Sequence, residues 1–120
     1  MEKPKFRAYT RPNGHTEFAE FMLSLPVKQR QKMQAVIEIT EEKGLLVASH
    51  MLLVKKLDNN LYELRARQGK QYQRGLYFHV VGNEYLITHG FSKKTNQTPQ
   101  REIDHAIELR EEFYNGLKEE

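Results

Sequence analysis

Three runs of strand character crowded into the second half of the chain decide most of what it can fold into. Leu61–Arg67, Tyr72–Val81 and Tyr85–Phe91 are rich in aromatic, β-branched and apolar residues, and only Gln68-Gly69-Lys70 and Gly82-Asn83 stand at the joins. Connections this short join antiparallel neighbours, because a parallel return needs a crossover of roughly a dozen residues or more. The Gly-Asn pair between the last two runs is hairpin chemistry. An antiparallel sheet follows, and it must bury at least one face against something else.

The preceding residues supply that cover. Phe6–Thr10 alternates like a short strand and stops at Arg11-Pro12-Asn13-Gly14, a turn by composition. The period then changes: Phe18, Phe21, Met22 and Leu25 recur at helical spacing behind Thr16, an N-cap by residue type, and Pro26 ends that stripe. Val27 to Lys43 predicts a second helix with Met33, Val36 and Ile37 on one face and Gly44 as a left-handed stop. Leu45 to Val54 is apolar without a period and reads as a loop with room for a helical turn. Thr98-Pro99 opens a last helix whose stripe is Ile103, Ala106, Ile107, Phe113, Tyr114 and Leu117, interrupted by Arg110. The expectation is a single α+β domain over residues 1–120, in the order β-α-α-β-β-β-α. Its antiparallel sheet carries a helical hairpin on one face and leaves the other partly open.

Composition removes whole classes of function. The chain has no cysteine, which excludes a disulfide framework, a zinc ribbon, an iron–sulfur cluster and a thiol nucleophile together. No pair of histidines has metal-ligand spacing, so neither a metal nor a cofactor is expected. Leu45-Leu46-Val47-Ala48 falls far short of a membrane span, and Met1-Glu2-Lys3-Pro4-Lys5 lacks the apolar region of a signal peptide. A cytoplasmic protein with no membrane role is expected.

The formal net charge of +3 conceals a sharp asymmetry. Residues 55–101 hold 9 Lys and Arg against 3 Asp and Glu, whereas residues 102–120 hold 2 against 7. A basic centre beside an acidic tail predicts a surface that faces a polyanion. The strand period sends Tyr62, Leu64 and Ala66 to one face and Glu63, Arg65 and Arg67 to the other, so one face is core and the other is charged. Arginines on an exposed strand face contribute little to folding, and Glu63 is placed to orient Arg65 by a salt bridge. Arg74 shares parity with Leu76 and Phe78, which puts it on an apolar face unless the strand begins later or Gly75 marks a bulge. His89 shares parity with Ile87 and Phe91, leaving both a core position and a titrating role open.

Lys55-Lys56-Leu57, Leu61-Tyr62-Glu63-Leu64-Arg65, Arg74-Gly75-Leu76-Tyr77-Phe78 and His89-Gly90-Phe91-Ser92-Lys93-Lys94-Thr95 precede Thr98-Pro99 in a fixed order. This series resembles the RelE/ParE superfamily of bacterial toxins, and in particular the phage-derived, HigB-type branch of type II toxin–antitoxin systems. The resemblance runs from about residue 52 to about residue 113, and Gly75 stands where the branch usually has a β-branched residue. It implies a RelE-like microbial RNase fold. It also implies a ribosome-dependent mRNA endonuclease acting at the ribosomal A site, free of metal and cofactor, and silenced by a cognate antitoxin that is a small helix-turn-helix protein.

Metal-free RNA cleavage proceeds by attack of the ribose 2′-OH on its own phosphate, which needs a proton acceptor, a proton donor and cations for the phosphorane. Under that reading Arg65 and Arg74 clamp the phosphate, since a guanidinium donates two parallel hydrogen bonds and stays charged. His89, Lys93 and Lys94 supply proton transfer or further charge. Lys55, Lys56, Arg67 and Tyr77 bind the substrate, Tyr77 by stacking on a base or by donating a proton. Two other classes share these features: a ParE-like inhibitor of DNA gyrase that cuts nothing, and a passive RNA-binding domain. The presence of Arg65, Arg74, Lys93 and Lys94 together favours the nuclease.

Overall fold

The computed structural model describes residues 3–118; Met1, Glu2 and the last two acidic residues, Glu119 and Glu120, lie outside the described residues. The elements in chain order are β1 (Lys5–Ala8), α1 (Glu17–Ser24), α2 (Val27–Lys43), α3 (Leu45–His50), β2 (Val54–Asp58), β3 (Leu61–Gln68), β4 (Gln71–Val81), β5 (Glu84–Lys93) and α4 (Gln100–Lys118). They build one five-stranded sheet in the order β1-β5-β4-β3-β2. The α+β class and the central meander match the sequence reading.

The helical turn allowed between Leu45 and Val54 is realised as α3, and β2 follows it as a strand absent from the sequence reading. Gly44 has φ 91° and ψ 163°, an extended backbone at positive φ and not the left-handed helical stop expected of it. Its N–H donates back to the Thr40 carbonyl at 2.9 Å while its own carbonyl accepts from Ala48 N at 3.0 Å, so one glycine ends α2 and starts α3. The chain then turns through Leu52, at φ 63°, into β2, which pairs antiparallel with β3. Six and five residues are too short to show a hydrophobic period. The sheet is also not wholly antiparallel: β1 lies parallel to β5, with Phe6 opposite Tyr85 and Ala8 opposite Ile87. Residues 9–83 form the long crossover that such a pairing requires.

Both faces of the sheet are covered. On one, α1, α2 and α3 bury Phe18, Met22, Met33, Val36 and Ala48 against Val54, Leu64, Ala66, Tyr77 and Ile87. Two facing glycines make this contact possible. Gly75 lies opposite Gly90 across β4 and β5, and an added Cβ would come within 3.0 Å of Phe18 Cε1 at the first and 2.3 Å of Phe21 Cδ2 at the second. Bare backbone is the floor on which α1 sits, which accounts for glycine where a β-branched residue was expected. Thr16 precedes α1 as the sequence suggests, yet its hydroxyl pairs with Thr10 Oγ1 at 2.7 Å and not with a helix N–H.

The second face, expected to be partly open, carries α4. Leu109 packs with Tyr9, Phe78 and Leu86, and Ala106 with Leu61, Leu76 and Phe91. Arg110, which interrupts the apolar stripe, donates to the carbonyls of Asn59 at 2.6 Å and Asn60 at 3.1 Å, tying α4 to the β2–β3 turn.

Candidate functional site

The register of the meander settles where Arg74 points. Arg65 lies directly opposite Arg74, Glu63 opposite Leu76, and Arg67 opposite Tyr72, with no irregularity at Gly75. Arg74 is therefore on the Leu76 and Phe78 side, and that side is also the charged face of β3: the apolar face of β4 and the polar face of β3 are one surface. The irregularity comes later, where Leu76 pairs with His89 but Tyr77 pairs with Ile87, leaving Thr88 as the extra residue of a bulge. The bulge breaks the parity expected for β5. His89 and Phe91 face α4, while Ile87 enters the core under α1.

Beyond the reach of α4 this face is a cationic corner. Arg65, Arg67 and Arg74 stand there, and Lys93 is opposite Tyr72 across β4 and β5. Like charges opposed across two strands repel, and Glu63 answers them from the same face. Its Oε1 is 3.4 Å from Arg65 Nε and 3.7 Å from Arg74 Nε. Its Oε2 accepts from the Thr98 hydroxyl at 2.5 Å. The Glu63 and Arg74 side chains expose only 1% and 3%, against 17% for Arg65. Arg74 is thus no exposed arginine of the kind that folding ignores. Burial lowers its pKa, Glu63 opposes that shift, and a guanidinium remains charged throughout.

Two further residues complete the corner. The Asn96 side-chain oxygen accepts from Arg74 Nη2 at 2.6 Å and from Arg65 Nη2 as well. The Tyr72 ring is flanked by guanidiniums, with Arg74 Cζ 5.1 Å and Arg67 Cζ 5.0 Å from its centroid, close enough for cation–π attraction. A cleft of about 370 Å³ opens beside them just before β2 begins, lined in part by Lys32, Arg65, Arg67, Tyr72 and Asn96. Neither Tyr72 nor Asn96 was expected as a site residue. Tyr72 was legible in principle, since it shares parity with Arg74 in the same strand; Asn96 sits in an irregular segment whose path no period reveals.

The other expected site residues are distributed differently. Lys94 is exposed just past β5, next to the corner. Lys55 and Lys56 are exposed on β2, opposite Glu63 and Tyr62, so they point to opposite faces of the edge strand. Tyr77 is 1% exposed on the α1 side, packed edge-on to Phe6 and stacked on Tyr62, with its phenol pKa raised by burial. It does not meet the cationic corner.

His89 shares the corner's face but belongs to a separate network. Its Nδ1 is 3.0 Å from Thr88 Oγ1 and its Nε2 is 3.1 Å from Glu102 Oε1, and its ring meets that of His105 edge-on at 4.7 Å. His105 Nε2 is 2.7 Å from Glu17, which also accepts from Arg11 at 2.7 Å, and Arg11 in turn reaches Glu112. Burial lowers the His89 pKa, with Glu102 pulling the other way and His105 adding to the fall. Nε2 donates to Glu102, and the Thr88 hydroxyl beside Nδ1 donates to the Leu76 carbonyl at 3.1 Å, which ties the ring to the backbone of β4. Among the described residues no cluster of His, Asp and Glu is arranged to hold a metal ion.

A small α+β domain with a helical layer on each side of its sheet, and arginines gathered at one end of its central strands, is consistent with the RelE-like fold. Residues 20–111 match the sequence profile of the phage-derived Gp49-like protein family (DUF891), and the chain belongs to that family, one of RelE/ParE-like toxins. The matched stretch runs from within α1 into α4 and contains every residue of the cationic corner. No curated protein matches the chain significantly. No helix among the described residues is long and apolar enough to cross a membrane.

Proposed function

We propose that this chain is a toxin of the HigB-type branch, a metal-free endoribonuclease that cuts mRNA at the ribosomal A site in the cytoplasm and is neutralised by a cognate helix-turn-helix antitoxin. The observation that carries this reading is the convergence of Arg65 and Arg74, from opposed strands, on one oxygen atom. Guanidiniums aimed at one acceptor make a seat for a phosphate oxygen, whose charge strengthens each hydrogen bond roughly twofold over a neutral one. Arg67 and Lys93 extend the positive field along the same face, and Tyr72 offers a ring on which a neighbouring base can stack.

In this mechanism the substrate's own 2′-OH is the nucleophile. Arg65 and Arg74 hold the non-bridging oxygens and offset the charge that grows on them in the phosphorane, a contribution of about 3–4 kcal/mol per well-placed donor. The 2′-OH gives up its proton to water as its oxygen bonds to phosphorus, and one of Lys93 and Lys94, at the end of β5, donates a proton to the departing 5′-oxygen as the P–O5′ bond breaks. His89 stays outside the chemistry, because its ring is buried and both nitrogens are engaged.

The test is expression without an antitoxin, with 5′-ends of mRNA mapped in translating cells and in cells whose initiation is blocked. Cleavage within translated regions that disappears when translation stops supports the proposal. Growth arrest with intact mRNA and inhibited gyrase transfers the chain to the ParE-like reading. Binding of RNA without cleavage or arrest leaves a passive RNA-binding domain.

A further inference from the structure

We infer that residues 94–99 form a lid over the arginine pair, and that Asn96 is its latch, an amide oxygen occupying the position a substrate phosphate oxygen takes. The inference rests on Arg65 and Arg74 being the phosphate clamp, and it adds how that clamp is regulated. With Asn96 in place the Arg74 side chain is 3% exposed, so an RNA phosphate cannot engage both guanidiniums until Asn96 leaves. The latch is held by the groups the substrate needs: both arginines donate to Asn96 Oδ1, and Arg74 also lies 3.4 Å from the Asn96 carbonyl.

The other end of the segment is tied down differently. The Thr98 hydroxyl donates to Glu63, a contact that phosphate does not compete for, and α4 begins just afterwards at Gln100. Residues 94–97 are all exposed and bury no apolar side chain that would hold the segment closed. A phosphate oxygen carries charge and an amide oxygen does not, so the exchange runs toward phosphate. Asparagine is suited to this role because it satisfies buried donors while the site is empty and yields when the substrate arrives. Aspartate would bind the arginines too well.

The test uses the full chain and two probes, inorganic phosphate and a 2′-O-methyl tetraribonucleotide that cannot be cleaved, with binding followed by NMR. Asn96→Ala should bind both probes about tenfold more tightly, the worth of a hydrogen bond to a charged group. Asn96→Asp should bind both at least about tenfold more weakly. In the unaltered protein, amide hydrogen exchange at residues 94–98 should speed up at saturating probe. Weaker binding by Asn96→Ala, or unchanged exchange in a saturated complex, overturns the lid; should the alanine variant fail to fold, the exchange measurement decides alone. Arg65→Ala separates the two layers of the argument. If it abolishes binding while Asn96→Ala binds no better than the parent, the lid fails and the clamp stands. If it binds like the parent, the clamp reading itself is wrong and the lid falls with it. Tetranucleotide binding without phosphate binding also overturns the latch, since a latch on the anion seat must respond to the anion alone.

Discussion

Arg65 and Arg74 perform the same task in the proposed chemistry but are built into the fold differently, and truncating each to alanine separates the two roles. Arg74→Ala removes a cation with 3% side-chain exposure from beside a carboxylate with 1%. Glu63 then keeps only Arg65, at 3.4 Å, and the Thr98 hydroxyl. Breaking a buried pair from one side costs about 3–5 kcal/mol, and the surviving partners put this case at the lower end, about 3 kcal/mol. Arg65→Ala removes a side chain that is 17% exposed and leaves Arg74 on Glu63, so about 1 kcal/mol is expected, nearer the value of a surface pair. At roughly 4 °C per kcal/mol for a domain of this size, the melting temperatures fall by about 12 °C and about 4 °C.

Under the proposed chemistry both variants should lose toxicity and RNA cleavage by a few hundredfold, because each lacks one donor to the phosphorane. Thermal denaturation followed by circular dichroism, beside a growth assay, measures both effects. The decisive control is Glu63→Gln combined with Arg74→Met, which removes the buried charge along with its partner. It should recover at least about 2 kcal/mol relative to Arg74→Ala, since replacing both members of a buried pair is often neutral. Equal losses of stability from the two arginine variants, or a double variant no more stable than Arg74→Ala, would show that Glu63 and Arg74 do not form the buried pair described here.

Gly90→Ala places a Cβ 2.3 Å from Phe21 Cδ2 and 2.9 Å from Phe21 Cγ, near the root of the ring; a loss of about 1–3 kcal/mol in urea denaturation is expected, with a smaller one for Gly75→Ala, which meets the far side of the Phe18 ring at 3.0 Å and Ile87 at an ordinary 3.6 Å. Burial keeps the His89 pKa below its ordinary 6.5, so the unfolded chain takes up a proton that the native protein refuses. Stability should fall as the pH drops below about 6.5 and level off once native His89 is itself protonated, and His89→Gln should flatten that part of the curve. Glu112, held low by the Arg11 hydrogen bond, and Glu17, held low by His105 and Arg11 despite burial, contribute stability that persists above about pH 4.5 and is lost only in more acid solution. Tyr72→Ala should weaken single-stranded RNA binding by about tenfold in fluorescence anisotropy, in line with one lost stacking contact, whereas Tyr72→Phe should retain it.

The meander, the helical stripes and the α+β class were legible because each rests on a period repeated over many residues. The missing elements had no such repeat: α3 and β2 are short, and both depend on Gly44 and Leu52 adopting positive φ, which residue type alone does not announce for leucine. The arginine pair was legible as chemistry but not as geometry. Parity placed Arg74 among apolar side chains and the rest of the charge on an exposed face, and only the register shows these to be one surface, covered by α4 at one end and open at the other. His89 was grouped with Ile87 by alternation, and a single extra residue at Thr88 undid that grouping. Asn96 was illegible, since its role comes from a segment 22 residues beyond Arg74 that folds back over it.

The location of the cationic corner follows from unequal strand lengths. β4 and β5 run 11 and 10 residues, whereas the edge strands β1 and β2 run only 4 and 5. Pairing with β2 ends where Val54 meets Leu64, and pairing with β1 ends where Ala8 meets Ile87. Past those points the central strands project with no edge strand beside them, and α4 does not reach that far along their second face. The paired half therefore buries its side chains between helices and carries the stability. The projecting half can hold cations that a sealed core would not tolerate. Glu63 and Arg74 stand at the boundary between the two, buried enough to matter for folding and close enough to the open end to serve a ligand. That position is why Arg74 should register in both the stability and the activity assay, while Arg65, one step further toward solvent, should register mainly in the second.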